Sequence, residues 1–373
     1  MAGIYLHIPF CKKACHYCNF HFSTSLGLKN DLIAALLKEI ALQKDYLQDQ
    51  PINTIYFGGG TPSILEAPEL EALLNELNKH YNINSLAEIT LEANPDDITE
   101  TKLYNWKTLG INRLSIGIQS FFEEDLLWMN RAHNAAEARN CLATATRYFQ
   151  NITIDLIYGS PLLTNEQWLQ NLSIANSYNI PHLSCYALTV EPDTALQKMI
   201  ALQKKEAVDS DKQARQFLQL MDWASQHQYE HYEISNFAKK GYQSKHNSAY
   251  WQGVHYLGLG PSAHSYNGSS RQWNIAHTPQ YINALQQNNL LTETEQLTPA
   301  QQLNETIMIG LRTKEGINLL QIAKQFGPQA AQQIQTAAAK HLQLLHLQQN
   351  NHQLQLTQNG KLFADAIAAD LFV

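Results

Sequence analysis

Regular alternation of strands and helices constrains the fold of this chain more than any other feature. Six β-rich runs alternate with amphipathic stretches, the first of which has the i, i+4 apolar spacing of a core-facing helix. Such alternation indicates parallel strands joined by right-handed crossovers. We therefore predict an α/β fold with a partial, open (β/α)6 barrel over residues 1–235. Its predicted strands are Ile4–Ile8, Thr54–Phe57, Glu88–Glu92, Arg113–Ile118, Ile152–Ile157 and His182–Leu188, and a seventh run follows at Tyr229–Ile234.

Unusual polar residues stand near the ends of these predicted strands. A loop with three cysteines follows the first strand, and the glycine-rich segment Gly58–Thr61 follows the second. Glu92, Gln119 and Asp155 lie at or near the ends of the next three strands. Because (β/α) barrels build their sites at the carboxyl ends of the strands, these residues are expected to share one site.

The cysteine loop carries Cys11, Cys15 and Cys18 in the spacing C-x3-C-x2-C. Thiolates are the usual ligands of iron–sulfur clusters, and three of them on a [4Fe–4S] cube leave one iron without a protein ligand. That iron can bind the amino and carboxylate groups of S-adenosylmethionine (SAM). An electron from the reduced cluster can then cleave the sulfonium bond. The spacing therefore predicts a [4Fe–4S] cluster that binds SAM.

Zinc is the structural alternative for the same loop. The three cysteines together with His7, His16 or His21 would make a Cys3His site. Structural zinc sites more often use two C-x2-C pairs, however, so a lone triad after the first barrel strand favours the cluster. The other two cysteines, Cys141 and Cys185, lie in an apolar helical stretch and in a predicted strand. Both are expected in the core.

Charge and hydropathy exclude some partners. The 373 residues carry a formal charge of −7 and no run of Lys or Arg, so nucleic acid is not an expected partner. No segment approaches the roughly 20 consecutive apolar residues of a membrane span. The first ten residues lack the basic leader of a signal peptide, and the odd number of cysteines does not suggest disulfides. We expect a cytoplasmic protein without a transmembrane segment.

The composition changes near Asn288, where Gln and Asn become frequent and the strand–helix alternation stops. Helices followed by a small hairpin predict a winged-helix-like accessory domain over 291–373, after an extension over 236–290. The segment is not basic, so a lid or docking module is favoured over DNA binding. The predicted helices are Pro299–Arg312, Leu319–Phe326, Gln329–Leu345 and Asn359–Asp370, and the hairpin runs through Leu345–Leu347 and Gln353–Leu356.

Two motifs carry a family resemblance over essentially the whole chain. The cysteine loop with its His16-Tyr17 pair, and the segment Gly58-Gly59-Gly60-Thr61-Pro62, resemble the radical SAM family that contains oxygen-independent coproporphyrinogen III oxidase (HemN). Each matching residue alone would more often be a packing or surface residue. Together they follow the barrel strands in order. The resemblance implies SAM contacts from Tyr5, Tyr17, Gly59, Gly60, Thr61, Glu92, Gln119, Arg131 and Asp155.

Two departures from the oxidases shift the resemblance to the haem-chaperone branch of this family. Phe20 stands where the oxidases carry a further cysteine, and only ten residues precede Cys11 in place of their long leading segment. The sequence Lys245–Trp251 also resembles the HNxxYW motif of the chaperones. By resemblance this motif contacts haem, and imidazole and aromatic rings suit that ligand. The implied haem residues are His246, Asn247, Tyr250 and Trp251.

Other interpretations of this motif and of the chain stay open. The motif could be a packed loop, and His255, His264 and His277 are rival haem ligands. The leading hypothesis is a cytoplasmic haem chaperone with a [4Fe–4S] cluster and SAM. It would deliver haem to acceptor haem proteins of the respiratory chain, and a homodimer is possible. The alternatives are a coproporphyrinogen III oxidase and a structural metal protein without SAM chemistry.

Overall fold

The computed structural model describes residues 1–373, and its central feature is a curved parallel sheet. Six strands follow one another in sequence order across this sheet, each parallel to its predecessor. This arrangement confirms the partial (β/α)6 barrel. The strands are β1 (Ala2–Ile8), β2 (Ile52–Gly59), β3 (Ile83–Ala93), β4 (Arg113–Gln119), β5 (Ile152–Tyr158) and β6 (His182–Ala187).

Helices cover the outer face of the sheet and enclose the largest apolar core. The first of them buries Leu32, Leu36 and Ile40, which form the i, i+4 stripe seen in the sequence. No helix is both long enough and apolar enough to cross a bilayer. The helices that accompany the barrel are α1 (Lys29–Leu42), α2 (Ala67–His80), α3 (Glu100–Thr108), α4 (Glu123–Trp128), α5 (Ala135–Tyr148), α6 (Asn165–Ser177), α7 (Ala195–Ala201) and α8 (Ser210–Gln226).

The chain after α8 widens the sheet at both edges. The seventh predicted run forms β7 (Glu230–Glu233), which pairs antiparallel with β8 (Asn236–Ala238) beside β6 and adds no further βα unit. The other edge gains β9 (His255–Leu259), parallel to β1, and then three antiparallel strands. The remaining elements here are α9 (Lys245–Trp251), β10 (His264–Tyr266), β11 (Ser270–Asn274), α10 (Thr278–Gln286) and β12 (Thr292–Gln296).

The last part of the chain has its own small apolar core. Four helices pack on a three-stranded antiparallel sheet, which agrees with the helices and hairpin expected from the sequence. Because β12 still belongs to the large sheet, this core begins one strand later than the boundary expected at residue 291. Its elements are α11 (Pro299–Leu311), β13 (Ile317–Asn318), α12 (Leu319–Phe326), α13 (Pro328–Gln343), β14 (Leu347–Asn350), β15 (Gln353–Leu356) and, after a 3-10 turn at Gly360–Phe363, α14 (Ala364–Asp370).

Candidate functional site

A cavity of about 770 Å³ opens at the carboxyl ends of the barrel strands, where the C-terminal core meets the barrel. Its size is within the usual range for pockets that bind small molecules. The structure brings together in its wall all but one of the residues that the sequence assigned to cluster and SAM. The exception is Tyr5, which lies beside Gly58 below the cavity. The lining residues from that set are Cys11, Cys15, Tyr17, Cys18, Gly59, Gly60, Thr61, Glu92, Gln119, Arg131 and Asp155.

Backbone hydrogen bonds from distant segments hold the cysteine loop in place. The amide of Cys11 donates to the carbonyl of Ser23 over 3.0 Å, and the amide of His16 donates to that of Met129 over 3.1 Å. The Asn130 side chain donates to the Ala14 carbonyl at 2.7 Å. The loop is therefore fixed between the end of β1 and the loop after α4.

The three thiols of this loop are half-buried. Burial raises the pKa of the Cys11 thiol to about 11 and also raises the pKa of Cys18. A free thiolate is thus disfavoured here, and a bound metal centre would supply the positive charge that stabilises it. The donor set and its surroundings fit an iron–sulfur cluster.

No group of three or more His, Cys, Asp or Glu side chains converges on a point where a single metal ion would sit. A [4Fe–4S] cube binds each thiolate on a different iron, so its ligands need not meet at one point. His7, one of the histidines considered for zinc, is buried and hydrogen-bonds through both ring nitrogens, to Tyr5 and to the His21 carbonyl. Cys141 and Cys185 lie in the core, as predicted.

The glycine segment passes directly beneath the cysteine loop. Gly59 has φ +106°, and a Cβ there would lie 2.5 Å from His7 Nδ1. At Gly60 a Cβ would lie 2.7 Å from the carbonyl oxygen of Phe10. Thr61 follows, and its hydroxyl donates to Cys11 Sγ at 3.5 Å. Only glycine permits this close approach, which leaves the backbone of the segment next to the cavity.

Two carboxyl groups lie deep in the cavity. Glu92 accepts hydrogen bonds from the Tyr56 hydroxyl at 2.8 Å and from the Gly59 amide at 3.2 Å. Burial raises the pKa of Glu92 to about 7 and that of Asp155 to about 6. Both groups are hydrogen-bond acceptors whose charge changes within two pH units of neutrality.

Arg131 links the cysteine loop to the strand ends. Its guanidinium donates to Asn94 Oδ1 at 2.7 Å, to the Gly117 carbonyl at 2.9 Å and to Cys15 Sγ at 3.3 Å. Its buried Nε has no hydrogen-bond partner. Gln119 lies close by in the left-handed region, with φ +63°, where the β4–β5 register shifts. An unfilled donor and a left-handed non-glycine backbone are both features that are frequent at ligand sites.

The HNxxYW motif forms α9, and none of its residues lines the cavity. His246 is 2% exposed. Its Nδ1 hydrogen-bonds with the Thr54 hydroxyl at 2.8 Å, and its Nε2 with the Tyr250 hydroxyl at 2.9 Å. Burial lowers the pKa of His246 to about 3, so the ring is neutral. Both ring nitrogens are thus occupied by hydrogen bonds within the protein in this structure.

His246 instead supports the site from below. Its ring stacks on Tyr56 with centroids 4.9 Å apart, and Tyr56 donates to Glu92. Trp251, at the end of the motif, lies under the Arg312 guanidinium, 5.3 Å from ring centroid to Cζ. Asn247 is half-buried at the start of α9. The rival histidines His255, His264 and His277 also lie outside the cavity.

The C-terminal core contributes a wall of the cavity that sequence analysis missed. Arg312, Lys361 and Phe363 line this side, together with Phe20 and Phe22 of the segment after the cysteine loop. Arg312, Lys361 and Phe363 are far from the cysteines in sequence and belong to no recognised motif, whereas Phe20 is identified in the sequence by its position after the third cysteine. Only the expectation of a lid or docking module pointed to this part of the chain.

Comparisons with known proteins agree with the fold and the cysteine loop. The Radical SAM superfamily matches residues 5–174, and the HemN C-terminal domain matches residues 297–363. The solved structure of Escherichia coli HemN, described as a radical SAM coproporphyrinogen III oxidase, superposes with a TM-score of 0.85 at 23% identity and covers 100% of this chain and 90% of that one. This likeness concerns the fold. The chain is of the radical SAM class, with a HemN-type C-terminal domain.

Curated relatives identify the family within the radical SAM class. "Heme chaperone HemW" of Bacillus subtilis is 33% identical over 332 residues, which cover 88% of this chain and 87% of that protein. The protein of the same name in Mycobacterium tuberculosis H37Rv is 31% identical, and the match covers 99% of this chain and 94% of that protein. The Escherichia coli K12 protein of this name is 36% identical, and the match covers 70% of this chain and 69% of that protein. The chain belongs to the HemW family.

Proposed function

We propose that this chain is a haem chaperone that carries a [4Fe–4S] cluster, binds SAM and delivers haem to acceptor haem proteins, those of the respiratory chain in particular. The observation that carries the proposal is its 33% identity to a curated heme chaperone across 88% of the chain. Phe20 favours this role over the oxidase. It is 66% exposed and lines the cavity at the position where, by resemblance, the oxidases carry a further cysteine.

The thiolates of Cys11, Cys15 and Cys18 would hold the cluster. The fixed loop and the burial that opposes free thiolates support this assignment. When bound, the cluster supplies an electron and an iron with an open coordination position for SAM. Thr61 and Arg131 donate hydrogen bonds to two of the cysteine sulfurs and so orient them.

The residues proposed for SAM surround the same loop. The amides of Gly59 and Gly60 already donate to Glu92 and to the Ile8 carbonyl, so these glycines would serve SAM through their close backbone approach to the cavity. Glu92 is placed to accept hydrogen bonds from ribose hydroxyls. Arg131 offers an unpaired donor near the cysteine loop, which would suit the carboxylate of SAM. The remaining assignments to SAM are Tyr5, Tyr17, Thr61, Gln119 and Asp155.

For haem we retain the HNxxYW motif as a proposal, with His246 in an indirect role. The Trp251 ring meets Arg312, which lines the cavity, so a haem on the C-terminal side of the cavity would approach this end of the motif. Asn247 and Tyr250 are half-buried and belong to the same helix. A cytoplasmic location and a homodimer also stay predictions, tested by cell fractionation and by light scattering of the purified protein.

Two assays on anaerobically reconstituted protein test the function. The chaperone should bind haemin stoichiometrically, with a stable Soret band, and should not convert coproporphyrinogen III in the presence of SAM and reductant. HemN serves as the positive control for turnover. SAM-dependent turnover without stoichiometric haemin binding would restore the oxidase. Purified protein that contains stoichiometric zinc and no acid-labile sulfide would instead support the alternative of a structural metal protein without SAM chemistry.

A further inference from the structure

Lys361 lies in the cavity wall opposite the strand ends. It belongs to the 3-10 turn Gly360–Phe363 between β15 and α14 and lines the cavity. Local contacts fix the backbone of this turn. The Gly360 amide donates to the Thr357 hydroxyl at 3.0 Å, and a Cβ at Gly360 would lie only 1.8 Å from the His346 carbonyl oxygen.

The ammonium group of Lys361 has no carboxylate partner among the ion pairs of the protein. Its hydrogen-bond partner is His231 Nδ1 at 3.0 Å. His231 Nε2 bonds to the Ile234 carbonyl at 3.0 Å, so Nε2 carries the proton and Nδ1 is an acceptor. Burial lowers the pKa of His231 to about 3, so this partner is neutral.

Burial also lowers the pKa of Lys361 to about 8, which leaves it charged at neutral pH. A half-buried cation without a counter-ion is unfavourable, and this one uses a single N–H of three. Arg312 on the same wall differs, since it pairs with Glu233 and Asp365 at 3.1 Å each. Lys361 is therefore the cation on this wall whose charge the protein leaves uncompensated.

We propose that Lys361 binds a carboxylate of a second cavity ligand, distinct from SAM. Phe20, Phe22 and Phe363 line the cavity with it, so the rest of that ligand has an apolar surface available. An apolar ring system that carries carboxylates, as a porphyrin does, has this chemistry. Under the proposed function, on which this inference rests, the group is a haem propionate.

Haemin titrations of the cluster-loaded protein at pH 7 test the inference. Lys361→Gln should weaken haemin binding about tenfold, because a charge-assisted hydrogen bond is lost, whereas Lys361→Arg should restore most of it. Haemin dimethyl ester, whose carboxylates are capped, should bind wild type and Lys361→Gln equally. Lys324→Gln, on the exposed face of α12, is the matched control and should behave as wild type.

The outcomes separate this inference from the proposed function. Equal haemin affinity of wild type and Lys361→Gln, with both folded by circular dichroism, overturns the role of Lys361 and leaves the chaperone intact. If wild type binds no haemin, the same titration is made with coproporphyrin III. Binding that depends on Lys361 then supports the carboxylate site while the chaperone fails. Binding of neither porphyrin overturns both.

Discussion

The cysteine loop and the HNxxYW helix are equally rich in the residue types that bind metals and porphyrins, but the structure uses them in opposite ways. At the cysteine loop the thiols are half-buried at a cavity and Arg131 Nε has no partner. In α9 both nitrogens of His246 are hydrogen-bonded within the protein, and the residue is 2% exposed. Position at the carboxyl ends of the strands, rather than residue type, marks the open site.

The two regions are nevertheless connected through one side chain. Tyr56 stacks on His246 and donates a hydrogen bond to Glu92. The HNxxYW helix therefore supports a carboxylate of the cavity from below. A substitution in the motif is therefore expected to affect both SAM binding and the stability of the fold. It should affect haem binding only if α9 itself contacts haem.

The largest expected effect is at the cysteine loop. Cys11→Ala, Cys15→Ala and Cys18→Ala should each reduce iron from about four per chain to near zero after anaerobic reconstitution, because each removes a thiolate that holds the cube. Cys141→Ala and Cys185→Ala are the controls and should keep the iron, since both thiols lie in the core. Iron and acid-labile sulfide analysis measures the result. Retention of cluster in any triad variant would show that the ligand set is wrong.

The next effect concerns the buried motif. His246→Ala removes two hydrogen bonds and leaves a cavity under Tyr56, so the free energy of unfolding should fall by about 2–4 kcal/mol. The spectral response of the cluster to SAM should weaken with it, since Tyr56 loses its support. Denaturant titration and EPR measure the two effects, and the partly exposed His255→Ala is the control. Normal stability combined with lost haemin binding would instead make His246 a direct ligand.

A smaller effect is expected from the pH dependence of SAM binding. With its pKa raised to about 7 by burial, Glu92 is protonated below that pH and is a charged acceptor above it. SAM affinity should therefore rise several-fold as pH increases from 6 to 8, because a charged acceptor binds hydroxyl donors more strongly. Asp155, with a pKa of about 6, contributes at the lower end. In Glu92→Gln the rise between pH 7 and 8 should disappear, and its persistence would assign the titration to another group.

The smallest effect is on stability and concerns Lys361. Its folded pKa of about 8 lies below the ordinary value of 10.5, so the unfolded chain binds the proton more tightly between these values. Burial of the charged ammonium therefore destabilises the folded state. This destabilisation is fully present below pH 8 and is lost as the pH rises towards 10.5. The full difference between the two pKa values corresponds to about 3 kcal/mol, and solvent screening of the half-buried ammonium reduces it, so relative to Lys361→Gln the wild type should gain about 1–2 kcal/mol over this window. Urea titrations at pH 7.5 and 10 measure it, and a constant difference would contradict the burial of this charge.

The barrel and its site were predictable because they depend on local patterns. Each strand is a short apolar run, and the site residues follow these runs, so Glu92 and Asp155 could be assigned to one cavity without knowledge of any contact. The cysteines carry their chemistry in their spacing. A single sequence is enough for features of this kind.

The wall made by the C-terminal core was not predictable from sequence. Lys361 and Arg312 join the cavity through packing between two cores, and nothing in their local sequence indicates that they meet Phe20. Packing of His246 was one of the open alternatives, but its partners Thr54 and Tyr56 could not be predicted because they lie on β2, almost 200 positions earlier in the chain. Long-range contacts of this kind become visible only in the folded chain.

The open site is proposed to lie at the cysteine loop, with SAM bound there. EPR of the dithionite-reduced, cluster-loaded wild type, recorded with and without saturating SAM, tests directly whether SAM binds at the cluster. Since SAM would add nitrogen and oxygen ligands to the iron that lacks a protein ligand, a clear change in the spectrum is predicted. An identical spectrum with and without SAM, at full cluster content, would contradict the account.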